Sequence, residues 1–298
     1  MSRLAVWASR LPPGVVGVLC GAGAALCWAA GLVSARHGIA IGLSPLDITM
    51  HRLVWVGFAF LPFMQTGTVN FKGVGWGRAI LLTLCGGPPL ALLSYAGFML
   101  VPLGHGGVIQ PSSAALAGLL LSTLVVKEKL PGTRLAGAIA IVCGLCVIGY
   151  EAFATIGVHG ILGDVMFMSA GFSFAAYGLM LKLWRITPIQ SVAITSVLSL
   201  VLIPVQYFLF GFDKQLEIGW YDFAILMLAQ GVMSGAAATF LFTRAVVLLG
   251  AARSAVFPAL VPPFTLLTGF LALGIVPTTF QLAGMVIVLF GFRLTQKA

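Results

Sequence analysis

Long apolar runs, each bounded by a short cluster of charges, prolines or glycines, follow one another along the whole chain. A helix that crosses a bilayer needs about 20 apolar residues. Runs of that order lie near 14–36, 44–64, 78–101, 105–126, 132–150, 160–182, 188–210, 220–248, 252–275 and 279–295. They lack the short apolar–polar alternation of barrel strands. The pattern predicts an all-α integral membrane protein with ten transmembrane helices. It also repeats. Pro111, Leu119, Leu135, Gly137 and Gly144 recur 147 residues later as Pro258, Leu266, Leu282, Gly284 and Gly291. Trp28-Ala29-Ala30 is matched by Phe174-Ala175-Ala176, and Arg36 by Lys182. Ser44-Pro45 and Thr187-Pro188 open corresponding helices, and Ser94-Tyr95 corresponds to Thr239-Phe240. Five helices precede residue 151 and five follow. An odd number makes the second half enter the membrane from the other side. The expected organisation is two inverted five-helix repeats, residues 1–150 and 151–298, joined by an acidic turn around Glu151 to Asp164.

Composition narrows the class. The chain is 60% hydrophobic and 8% charged, too few charges to cover a soluble surface. The net charge of +9 raises the question of a nucleic-acid partner, but its placement answers it. With ten helices and the N-terminus inside, Arg3, Arg10, Lys72, Arg78, Lys127, Lys129, Arg134, Lys182, Arg185, Arg244, Arg253, Arg293 and Lys297 fall on the cytoplasmic side. Arg36 and Lys214 fall outside, and Arg52 lies within a span. That bias is the positive-inside signature of a bacterial inner (plasma) membrane protein with both termini cytoplasmic. The lipid bilayer is then the partner, and no nucleic acid is implied. Lys127-Glu128-Lys129 closes the fourth helix, whereas its counterpart Gly274-Ile275-Val276 is uncharged. Inversion predicts that difference, because the second copy lies at the outer face. The first span follows Arg3 and Arg10 as a signal peptide would, but it ends at Arg36 with nine more behind it, and is read as a retained helix. Cys20, Cys27, Cys85, Cys143 and Cys146 all lie in spans and read as small packing residues. No cofactor and no metal site is expected.

The run PSSAALAGLLLSTLVVKEKLPGTRLAGAIAIVCGL carries a proline in the fourth helix, Glu128 at its end and Gly137 one turn into the fifth. With the duplication and the helix count, it resembles the EamA branch of the drug/metabolite transporter superfamily, over nearly the whole chain. Within that branch the chain looks most like YddG-type exporters of aromatic and other neutral amino acids. The second half lacks the equivalent Glu, so a role that needs one in both halves does not carry over.

Inverted-repeat transporters bind substrate near the midplane, where helices are interrupted. Interruptions are expected at Gly86-Gly87-Pro88-Pro89 in the third helix, at Pro111 in the fourth, at Gly231 and Ser234-Gly235 in the eighth, and at Pro258 and Pro262-Pro263 in the ninth. A proline frees the carbonyl four residues back, which a membrane tolerates only against protein or a wet cavity. Trp28 lies on a stripe of small residues, Gly17, Gly21, Ala24, Ala25, Gly31 and Ala35, on a face that packs against helices. Ser94, Tyr95, Gln110, Tyr177 and Thr239 are the polar and aromatic side chains near the breaks. With Trp28 they are expected to form an aromatic, hydrogen-bonding substrate cavity. Trp76, Trp184 and Trp220 read as the interfacial belt.

Asp47, His51 and Arg52 are the ionisable residues placed within the membrane, where each is a candidate proton or charge site. Asp47 and His51 share a helix face. The favoured alternative is that all three reach the outer headgroups or pair with one another. With no Lys or Arg pair at the midplane, phosphorylated metabolites lack a partner. The cavity is expected to be uncharged and to suit a neutral or zwitterionic solute. The expected function is export of small neutral or zwitterionic metabolites, aromatic and apolar amino acids foremost, by alternating access. A multidrug or cationic-metabolite exporter would use a carboxylate in its cavity, and none is evident. A membrane enzyme would need clustered catalytic or ligating groups, and His37, His51, His105 and His159 are scattered. A channel would need a pore that paired repeats do not favour. A monomer suffices for all of this.

Overall fold

The computed structural model describes residues 12–65, 73–101, 103–127, 131–148, 150, 160–273 and 276–296. Glu128 and residues 151–159 of the expected turn lie outside them. Among the described residues the chain forms ten helical spans. They are α1 (Pro13–Ala40), α2 (Pro45–Gln65), α3 (Trp76–Leu100), α4 (Leu103–Leu124), α5 (Gly132–Ile148), α6 (Gly160–Leu183), α7 (Pro188–Leu209), α8 (Trp220–Leu249), α9 (the consecutive pieces Ala251–Ser254, Phe257–Leu260 and Val261–Leu273) and α10 (Thr279–Gln296). Six of them (α1, α3, α6, α7, α8 and α10) are long and apolar enough to cross a membrane. Large apolar side chains such as Leu19, Leu120, Phe172, Phe208 and Phe290 face outward, the arrangement of a protein whose surroundings are lipid.

Helix starts follow ordinary capping chemistry. Thr187 and Gln190 form a reciprocal capping box at α7. Thr278 and Gln281 exchange the same pair of bonds at α10. Ser44 and Asp47 do so at α2, where the Asp47 carboxylate accepts from the Ser44 N–H at 2.8 Å.

Packing between the helices is exchange-symmetric. The pairs α1–α8 and α3–α6 map onto each other when the halves are swapped, as do α4–α6 and α1–α9, and α2–α8 and α3–α7. The pairs α2–α7 and α5–α10 map onto themselves. The α5–α10 seam shows the relation directly. A Cβ at Gly137 would meet the Gly291 carbonyl at 2.7 Å, and one at Gly144 would meet that of Gly284 at 2.8 Å. The repeated glycines therefore face one another in reverse order, so equivalent helices run antiparallel. Their lack of side chains lets the two backbones touch.

The interruptions differ in kind. α3 breaks at Gly87, between a helix ending at Gly86 and one starting at Pro88. α9 enters through a 3-10 turn, Phe257–Leu260, before Val261. Pro111 sits inside a continuous helix. α8 does not break at Gly231 and Gly235. Instead Met227–Ala237 widens into π-helix, a distortion that recurs at functional sites.

Candidate functional site

The two halves meet at a cavity of about 110 Å³. That is several times the roughly 10–15 Å³ one water requires, so a small solute has room to enter. Its wall comes from α1 (Trp28, Leu32), α2 (Arg52), the second part of α3 (Leu90, Ser94, Tyr95, Phe98), α4 (Gln110, Pro111, Ala114), α6 (Phe174) and the bent start of α9 (Pro258, Val261, Pro262). Trp28 stands edge-on to Phe174 at 5.3 Å and tilted against Phe242 at 5.5 Å, while Phe174 and Phe242 pack at 4.6 Å. The small-residue stripe lets α1 bring Trp28 there: Gly17 abuts Leu249, Gly21 abuts Phe257 and Gly31 abuts Ser234.

A chain of hydrogen bonds crosses four helices behind the wall. Arg52 Nη1 donates to the Tyr95 hydroxyl at 3.2 Å. That hydroxyl donates to Gln230 Oε1 at 2.9 Å, and Gln230 Nε2 donates to the Gly31 carbonyl at 2.6 Å. Gln230 and Tyr95 are buried, which makes such bonds costly to break. The π-helical stretch permits the approach: a Cβ at Gly231 would lie 3.0 Å from the His51 carbonyl, and one at Gly235 only 2.0 Å from that of Arg52.

Leu32 and Phe98 also line a second cavity of about 440 Å³, with Ala35, Arg36, Ile39, Ala40 and Val101. The first cavity thus continues toward the C-terminal ends of α1 and α3. The place equivalent to Gly31, Leu32 and Phe98 in the second half holds Tyr177, Gly178 and Thr243, and it is filled. The Tyr177 hydroxyl is hydrogen-bonded to Ser191 Oγ, which also lies 2.8 Å from the Thr243 hydroxyl. Phe242, Leu181 and Ile186 pack in the same buried cluster. Among the described residues, space continues past the cavity at Leu32 and Phe98, and the other end is filled.

A sequence profile described as the EamA-like transporter family matches residues 15–150 and again 161–295. The chain belongs to the EamA-like transporter family. It is a multi-pass membrane protein, a transporter rather than an enzyme by family, and its family places a small-molecule substrate in a bilayer setting. A crystal structure titled only as that of a protein superposes with a TM-score of 0.75 over 94% of this chain and 96% of the other, at 15% identity, which speaks for the fold alone. No curated protein matches significantly in sequence.

Of the residues picked out in this EamA-like chain, Trp28, Arg52, Ser94, Tyr95, Gln110, Pro111, Pro258 and Pro262 are together on the cavity wall. Tyr177 is not. It is 3% exposed, with Gly86 against its ring, and belongs to the sealed end. Thr239 is part-buried off the wall, where its carbonyl accepts from Thr243. Gly86, Gly87, Pro88, Pro89 and Pro263 shape the breaks without lining the cavity. The expected uncharged cavity needs correction, because the Arg52 guanidinium forms part of its wall. Among the described residues Asp47, His51 and Arg52 form no ion pair with one another. Asp47 is buried and accepts from Ser44, Gln206 and Gln215. His51 is buried and its Nδ1 accepts from Trp55 Nε1 at 3.1 Å. Tyr95 takes the one hydrogen bond that Arg52 makes among the described residues. Trp76 and Trp220 are exposed, and Trp184 lies beneath the Arg78 guanidinium at 5.7 Å. Gln230 escaped the sequence reading. Its one signal was a lone amide in an apolar run just before Gly231.

Proposed function

We propose that this EamA-like transporter exports small neutral or zwitterionic metabolites, foremost aromatic and other apolar amino acids, in the manner of YddG-type exporters. Residues 1–150 and 151–298 act as the two inverted repeats, set in a bacterial inner membrane with both termini in the cytoplasm. The observation that carries this reading is the wall itself: Trp28, Phe98 and Phe174 offer an aromatic surface, beside the Gln110 amide and the Ser94 hydroxyl, with no acidic side chain among the lining residues. An apolar pocket with a few placed polar groups is the usual form of a small-molecule site. A filled end opposite an unfilled one supports alternating access. Rearrangement at Tyr177, Ser191 and Thr243 opens the cytoplasmic side while closure at Leu32 and Phe98 shuts the other.

The test is efflux from liposomes holding a panel of labelled amino acids and organic cations. Aromatic and branched amino acids should leave faster than from empty-vesicle controls, and the cations should not. Cation efflux without amino acid efflux would reverse the assignment to the multidrug alternative.

A further inference from the structure

Arg52 begins about 10 Å along α2 from its start, counting seven residues beyond Pro45 at roughly 1.5 Å each. A cation at such a place is expensive and marks function by default. Its surroundings do not neutralise it. Among the described residues no carboxylate lies within ion-pair distance, Asp47 being fully engaged elsewhere. Tyr95 takes one of its five N–H donors, and the others have no partner among the described residues. The side chain is nevertheless held. The Gly31 carbonyl fixes the Gln230 amide, the Gln230 oxygen takes the Tyr95 proton, and the Tyr95 oxygen is then left to accept from Arg52. Every donor in that relay has one direction to point. The outcome is a planar, always-charged fork, oriented by three other helices and standing on a cavity wall that carries no other charge among the described residues.

We propose that Arg52 binds the carboxylate of the transported solute, and that Tyr95 and Gln230 are positioning residues that aim it. One guanidinium suits one carboxylate, bound in bidentate fashion. A dianionic phosphate ester would be left half-compensated, and a cation would be repelled. Gln110 and Ser94 share the wall and can serve an ammonium or hydroxyl group at the other end of the solute, with the aromatic rings covering its apolar part. This rests on the cavity being the transport site, and it deepens the reading above: the defining feature of the substrate is its carboxylate, whether or not an ammonium accompanies it.

The experiment compares acids with their amides. Purified protein in detergent is titrated with L-phenylalanine, 3-phenylpropionate, L-phenylalaninamide and 3-phenylpropionamide, and apparent affinities are read from thermal stabilisation. Each acid should bind about 10- to 100-fold more tightly than its amide, the size of a charge-assisted hydrogen-bonded contact. Arg52→Gln should level acid and amide, and Arg52→Lys should restore part of the difference. Tyr95→Phe, which removes only the hydroxyl, should narrow it while the size-exclusion profile is kept. If Arg52→Gln does not fold, the acid–amide comparison in the unmodified protein and in Tyr95→Phe still decides. Equal binding of acids and amides, or no stabilisation by any acid, overturns the proposal, as does undiminished acid preference in Arg52→Gln. The same protein in liposomes separates the two readings. Acid binding through Arg52 with no amino acid efflux sinks the amino acid assignment and leaves this inference standing. Amino acid efflux with acid and amide handled alike does the reverse.

Discussion

Replacing Gly235 by alanine tests whether the close contact of α8 with α2 sets the cavity's chemistry. The added Cβ would lie 2.0 Å from the Arg52 carbonyl oxygen, against 3.4 Å for an ordinary contact, so the backbones must part by 1.4 Å. The obstructing atom is main chain and cannot rotate away. Overpacking of this sort costs typically 1–3 kcal/mol. The functional consequence follows from the small slack in the relay. The Arg52–Tyr95 bond is already 3.2 Å long, and such a contact ceases to count as a hydrogen bond beyond about 3.5 Å. A shift of α2 larger than this slack disconnects Arg52 from its support. Gly23→Ala is the control. Its Cβ would meet only the Leu241 Cδ1 atom at 3.3 Å, the end of a flexible side chain. We expect Gly235→Ala to lower the melting temperature in detergent and to shrink the acid-over-amide preference, with Gly23→Ala near the parent on both. Matching behaviour of the two variants would refute the idea that the glycine contact positions Arg52.

Trp28→Ala is expected to keep a monodisperse size-exclusion profile and to lose efflux of bulky apolar amino acids more than of small ones, because it removes cavity wall; a proportional fall for all solutes would assign Trp28 to packing instead. Tyr177→Phe should cost about 0.5–1.5 kcal/mol by leaving Ser191 one partner short, and Tyr177→Ala about 3–5 kcal/mol by opening a hole in a full cluster. Both should alter rate or abundance without reordering substrates, and a reordered panel would put Tyr177 in the site. For the proposed topology, Lys129→Cys and Thr155→Cys should label oppositely with an impermeant thiol reagent applied from outside, and equal labelling of both from outside would contradict the inverted repeats.

The helices were legible because their cause is one-dimensional: apolar length between polar clusters, with Ser44 and Thr187 opening two of them. The inverted relation was legible because five is odd. Much of the wall could be read as well, since prolines, aromatics and hydroxyls near helix breaks have few places to go in a membrane. The rest depended on which way a face turned. Ser169, Ser173 and Tyr177 share a face of α6 by spacing, but spacing does not say whether Tyr177 meets the cavity or α7. Asp47, His51 and Arg52 looked like one group, yet successive residues on a helix point about 100° apart. Asp47 turns to Gln206 and His51 to Trp55 and Phe223, whereas Arg52 turns to the cavity. Gly231 and Gly235 read as a break because glycine weakens helices. They serve instead as the bare surface on which α2 rests.

Duplication supplies each half with the same scaffold, and the differences between halves show where chemistry was added. The repeat counterpart of Arg52 is Thr195, which returns its hydroxyl to the Ser191 carbonyl. The counterpart of Tyr95 is Phe240, and that of Gln230 is Cys85. The second half therefore has no copy of the relay. Under the proposed cycle the two halves exchange open and sealed conformations, so contacts unique to one conformation must break and re-form. The Tyr177–Ser191–Thr243 cluster occupies the place that corresponds to the open end, which makes it a contact of that kind. The Arg52–Tyr95–Gln230 relay ties α2 and α3 to α8, with Gly31 of α1 as its last acceptor, and has no counterpart to take over its role. A carboxylate held there has one seat in both conformations. On this proposal transport consists of changing which end of the cavity is sealed around a fixed guanidinium, and it assigns selectivity to the relay and rate to the seals.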